Sequence, residues 1–129
     1  METILYDTIS TEEAEERTVT LKDGTQINTK RKTFYSANII EAEAGIGWYG
    51  GHNCGDHGGS VLIKLKDQGS TQWKTYADES QVSLYLEGST EVSTIIEALK
   101  FVVETLEQRR IECLERRIEL LETAAFNSI

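Results

Sequence analysis

The sequence contains no proline, two cysteines, two histidines and one methionine. Without proline there is no rigid linker to divide the chain and no forced kink in any helix. Cys54 and Cys113 are too few for a disulfide framework. The longest apolar stretches are a few residues, far short of the ~20 that cross a bilayer, and no basic segment followed by an apolar one opens the chain. These absences predict a cytoplasmic protein with no membrane partner. Positive charge is also scarce. Thirteen Lys and Arg stand against 22 Asp and Glu, a net charge of −9, which excludes duplex nucleic acid or an anionic membrane held by bulk charge. A small anion in a local basic pocket stays open.

What is present fits one domain. The chain has 129 residues, and domains cluster near roughly 100–150. Residues 1–17 form an acidic lead-in, with Glu2, Asp7, Glu12, Glu13, Glu15 and Glu16 against Arg17, and without sustained apolar periodicity they are expected to be loosely held. Residues 18–88 read as sheet. Thr18–Leu21 and Gln26–Thr29 flank Lys22-Asp23-Gly24-Thr25, where Asp-Gly supplies the positive φ of a tight hairpin. Thr33 to Ala44 reads as one further strand, and alternating runs follow at Val61–Lys66, Trp73–Ala77 and Val82–Glu87. Short connections make the sheet antiparallel, with one wet face.

After Gly88 the period changes to three and four, through Val92, Ile95, Ile96, Leu99, Val102, Val103 and Leu106. Ser89 or Thr90 suits the N-cap, and Glu91 the positive end of the macrodipole. Near Arg109 the apolar stripe moves to Ile111, Leu114, Ile118 and Leu121. Residues 89–125 therefore read as one bent helix or two consecutive helices, the second packing against another subunit. The expected architecture is α+β: an antiparallel sheet followed by C-terminal helix, oligomeric, as a homodimer or higher assembly.

The stretch Gly45 to Gly59 holds seven of the ten glycines and both histidines. Its glycines would let backbone N–H groups approach an oxyanion, and Trp48 and Tyr49 could wall a base; the plain alternative is a connector with surface aromatics. His52, Cys54, Asp56 and His57 are zinc-competent donors, but the spacing fits no familiar zinc site, so no metal is assigned. Cys54 or Ser60 with His57 could build a nucleophile and base, yet no nucleophile elbow or phosphate-loop signature accompanies them, so no catalytic residue and no cofactor is assigned. Arginines are grouped at Lys30-Arg31-Lys32, Arg109-Arg110 and Arg116-Arg117. Guanidinium groups grip phosphate bidentately, whereas Arg116 and Arg117 also suit pairing with Glu112 and Glu115. Tyr85 and the other strand aromatics read as sheet packing or as base stackers.

Gly55-Asp56-His57-Gly58-Gly59, the Asp67-Gln68-Gly69-Ser70-Thr71 turn and the Ile96-Glu97-Ala98-Leu99 helix, in that order, resemble the anti-Thoeris sponge family of phage proteins over Thr33 to Arg110. The resemblance implies a non-enzymatic protein that sequesters cyclic ADP-ribose isomers made by TIR-domain enzymes, and in some members cyclic oligonucleotides, in pockets between subunits. It implies ligand contacts from Arg31, Gly58, Gly59, Tyr85 and Arg109 or Arg110, with Ser60 where the family has an arginine; Trp48 and Tyr49 join this set from the loop's composition. Two other classes stay open: a small metal- or Cys/His-dependent nucleotide hydrolase, and a structural oligomeric adaptor.

Overall fold

The computed structural model describes residues 10–36, 38–47, 60–69, 72–87 and 91–127. Seven antiparallel strands precede one helix: β1 (Ser10–Thr11), β2 (Glu15–Thr20), β3 (Gln26–Tyr35), β4 (Ile39–Gly47), β5 (Ser60–Gly69), β6 (Gln72–Ala77), β7 (Val82–Glu87) and α1 (Glu91–Asn127). The expected α+β class is found. The strands divide, however, into a five-stranded sheet, in which β1 and β2 both pair with β3 and the order runs on through β4 to β5, and a separate β6–β7 ribbon. The ribbon rests on the core through Trp73 and Leu86.

The Asp-Gly hairpin forms as the residues dictate. Gly24 takes φ 89° and Asp23 Oδ1 accepts from the Thr25 N–H at 2.9 Å. Residues 10–17 are not a loose lead-in, because their acidic side chains lie against the basic run of β3. Glu15 pairs in register with Arg31 and Glu16 with Lys30, and the Tyr35 hydroxyl donates to Glu12. Opposite charges facing each other across an antiparallel pair stabilise the pairing. Thr33 to Ala44 is likewise two strands rather than one. The chain reverses where Ser36 N–H donates to the Asn38 carbonyl at 2.9 Å, and Thr94 of α1 donates to Asn38 Oδ1 at 2.8 Å.

The core lies between α1 and one sheet face, formed by Phe34, Ile40, Ala42, Ala44, Ala98 and Val102, with Phe34 and Phe101 edge to face at 5.9 Å. The buried line of α1 is Thr94, Ala98, Val102, Thr105 and Cys113, at steps of three and four or their multiples. Small residues on the helix meet Ala42 and Ala44 on β4, which brings the two backbones close and leaves no room for large side chains between them. Val92, Ile96, Leu99 and Val103, expected to point inward, are therefore turned outward. Of the two alternatives expected here the structure has a single helix, continuous over 37 residues through the Arg109 region, and not two consecutive ones. Within the sheet, Gly45 is required by close approach, since a β-carbon there would collide with the Asn28 carbonyl and Thr29 Cα. No helix among the described residues is long and apolar enough to cross a membrane.

Candidate functional site

Alternation along β3 decides which arginines can act together. Lys30 reaches α1, its Nζ 2.9 Å from Gln108 Oε1, so Lys30 and Asn28 share the helix side of the sheet. Thr29 and Arg31 point to the far side. There Thr29 Oγ1 donates to Glu43 Oε2 at 2.6 Å, and Arg17 Nη1 lies 3.4 Å from Glu43 Oε1, so a carboxylate that is 1% exposed keeps two partners. Arg31 sits between Glu15 and Glu41, whose second oxygen accepts from Gln68 at 2.7 Å. Two carboxylates thus already surround the Arg31 guanidinium.

Arg109 is on the helix side. Its side chain is 13% exposed, its Nη2 donates to the Thr29 carbonyl at 3.3 Å and to Glu16, and its Nη1 donates to Glu112 at 3.2 Å. Burial pulls its pKa down, but Glu16 and then Glu112 outweigh that and hold it above the ordinary value, so the guanidinium stays charged. Its Nε is buried with no hydrogen-bond partner. A buried donor left unsatisfied costs about 1–3 kcal/mol, which makes this atom a natural point for an acceptor from outside the chain.

Two clefts open beside Arg109 and share Asn28. One, of about 310 Å³, is lined by Glu16, Arg17, Thr18, Asn28 and Arg109. The other, about 110 Å³, is lined by Asn28, Ile46, Arg109, Glu112, Cys113 and Arg116. Arg109 and Arg116 of α1 thus border the Asn28 amide in the smaller cleft, while Arg17 flanks the larger one with its guanidinium turned to Glu43 on the far side of the sheet. The larger cleft is at the lower end of the roughly 300–1,000 Å³ of small-molecule sites. Arg109 and Arg116, seven residues apart on one helix face, both line the smaller cleft. Cys113, packed with Ile46, Leu106 and Leu114, is disulfide-bonded, so it offers no free thiolate.

The expected site residues are thus only partly assembled. Arg109 lies at the clefts. Arg31 is on the opposite sheet face, Arg110 is exposed on α1, and Tyr85 is exposed on the ribbon, where Lys74 Nζ lies 5.9 Å from its ring centre. None of these three lines either cleft. Ser60 begins β5 opposite Gly47, its Oγ buried and without a hydrogen-bond partner, and a β-carbon on Gly47 would collide with that Oγ. Trp48, Tyr49, Gly58 and Gly59, like His52, Cys54 and His57 and the N-cap candidates Ser89 and Thr90, lie outside the described residues. Among the described residues no cluster of three metal-ligating side chains occurs.

Sequence reasoning missed Arg17, read as the lone cation of a loose segment, and Asn28. The seven-residue step from Arg109 to Arg116 was the available signal. No family model matches the chain, and no curated protein or solved structure matches it.

Proposed function

We propose that this chain is a stoichiometric binder of a small phosphate-bearing ligand of the cyclic nucleotide class, as the resemblance to anti-Thoeris sponge proteins implies, and that Arg109 receives the phosphate. The observation that carries the proposal is the Arg109 side chain: charged, nearly buried, with one donor unused, and set between two clefts that Arg17 and Arg116 also line. Charge-assisted bonds from guanidinium to phosphate are short and strong, and donors already held by packing lose little entropy on binding. An acidic molecule with one recessed basic site also rejects large polyanions while admitting a small one. Glu16, exposed and paired with Arg109, is the group an incoming phosphate displaces.

Calorimetric titration with cyclic ADP-ribose isomers tests the assignment. Arg109→Ser is expected to weaken binding by about 1.5–3 kcal/mol, the worth of a charged hydrogen bond. Glu16→Gln strengthens binding by removing the competing carboxylate, and Arg31→Ser, on the other face, leaves it unchanged. Equal affinity in the Arg109 variant, or loss in the Arg31 variant alone, places the site elsewhere.

A further inference from the structure

The five-stranded sheet ends at β5. This strand pairs with β4 on one side, and the β6–β7 ribbon that follows it belongs to a separate sheet. Among the described residues no strand pairs with its outer edge. Along such an edge the N–H and C=O groups of alternate residues point away from the sheet, ready to pair with another extended chain. The pairing with β4 is regular from Ser60 to Asp67, and its one register shift lies at the far end, between Ile39 and Ile40. Val61, Ile63, Lys64 and Lys66 are all exposed along this regular stretch.

We infer that the outer edge of β5 receives an extended acidic segment of another protein as a further strand, with carboxylates at alternate positions and apolar side chains between them. The charges carry the inference. Lys64 lies directly opposite Glu43, and Lys66 opposite Glu41. Those carboxylates are already engaged, Glu43 by Thr29 and Arg17 and Glu41 by Gln68 and Arg31. Neither lysine forms an ion pair among the described residues, so in a molecule of net charge −9 two cations stand uncompensated side by side on one strand edge. A strand added outside β5 sets its own side chains opposite Lys64 and Lys66, as β4 does on the inside. Opposite charges placed there stabilise the pairing.

The other side of the strand supplies the apolar part. Val61 and Ile63 lie opposite Ile46 and Ala44, on the face that carries α1, and are 51% and 55% exposed. Gln108 turns one flank of α1 toward Lys30 of β3, and Leu99, half a turn away in phase, looks to the β5 side. Arg110 and Arg117 follow Leu99 on that flank, within about 20° of it about the helix axis, whereas no glutamate of α1 comes within about 60°. Strand edge and helix flank together are therefore apolar and cationic. A second copy of β5 does not suit this edge. Two such edges paired antiparallel about Leu65 set each Lys64 against the other copy's Lys66, and like charges directly opposite are destabilising. The same lysines that bar a copy select an acidic strand. The inference is independent of the ligand reading, since neither Arg109 nor its clefts enter it.

Fluorescence anisotropy with a short labelled peptide alternating glutamate with valine tests it, together with amide hydrogen exchange of the full chain. The peptide is expected to bind, more weakly as salt rises, and to slow exchange at alternate residues between Val61 and Lys66. A peptide alternating lysine with valine is expected not to bind. Lys64→Gln with Lys66→Gln, checked for folding by circular dichroism, weakens the glutamate peptide about five- to tenfold, the worth of two cross-strand charge pairs. N-methylation of one alternate set of peptide residues abolishes binding and of the other set spares it, since only one set of N–H groups faces β5. Absence of binding overturns the inference. So does binding that leaves the β5 amides unprotected, that the lysine peptide matches, that survives the double substitution unchanged, or that is indifferent to which residues are methylated. Self-association of the chain that protects the same amides without peptide also overturns it, because the occupant is then a second copy.

Discussion

Glu43 shows how closely a single residue here depends on its neighbours. It is nearly inaccessible to water, and a buried carboxylate persists only with hydrogen-bond donors around it. Thr29 Oγ1 supplies the short bond and Arg17 the longer one. Thr29→Val keeps the shape but strips one donor, leaving a buried acceptor unpaired, and is expected to lower unfolding free energy by about 1–3 kcal/mol in urea titration. A change within experimental error would mean that water already reaches Glu43. Glu43 reads in the sequence as one of two charges alternating with alanines; nothing local says that its face of the sheet is closed. Arg109 was legible as a phosphate candidate because paired arginines stand out beside a change of helical phase. Its environment was not, because Thr29 and Glu16, which hold it, are about eighty and ninety residues distant along the chain.

At the scale of elements, what was legible was local. The Asp23-Gly24 hairpin and the start of the helical period need no information beyond a few neighbours, and both stand. The β3–β4 reversal was missed because no glycine or proline marks it. Ser36 and Asn38 do the work, in part through Thr94 from the helix, a contact no local pattern contains. The facing of α1 was legible in part: Val102 is buried and Ile95 and Leu106 pack on the core, whereas Val92, Ile96, Leu99 and Val103 are exposed because the close contact with Ala42 and Ala44 on β4 selects the small residues Thr94 and Ala98.

The turns also predict a pH dependence. Backbone N–H donors at Thr25 and at Ser80 hold the Asp23 and Asp78 carboxyls below their usual 3.8. Groups whose folded value is depressed stabilise the fold above pH 3.8, and this contribution disappears as pH falls through the lower folded value. Tyr35 acts at the other end. Donating to Glu12 raises its hydroxyl above 10, so its contribution is present below pH 10 and disappears as pH rises past the raised value. In urea midpoints measured against pH, the deficit of Asp78→Asn relative to wild type should shrink below pH 3.8, and that of Tyr35→Phe above pH 10. Deficits constant with pH would mean that these bonds do not discriminate between protonation states.

For the whole molecule, two surfaces organise the account. One is the recess around Arg109 on the helix side of the sheet, where Arg109 and Arg116 line a cleft in a molecule whose net charge is −9. The other is the outer flank of α1, where Val92, Ile96, Leu99 and Val103 are exposed. Arg109 and Arg116 share the helix with those residues but line clefts on a different face. Native mass spectrometry of the purified chain with a mixture of cyclic ADP-ribose isomers, followed by denaturation to recover the small molecule, tests the binding claim most directly. The account predicts a complex heavier by intact ligand, recovered unchanged, and lost with Arg109→Ser. A chain that retains no ligand, or that returns it hydrolysed, would contradict it.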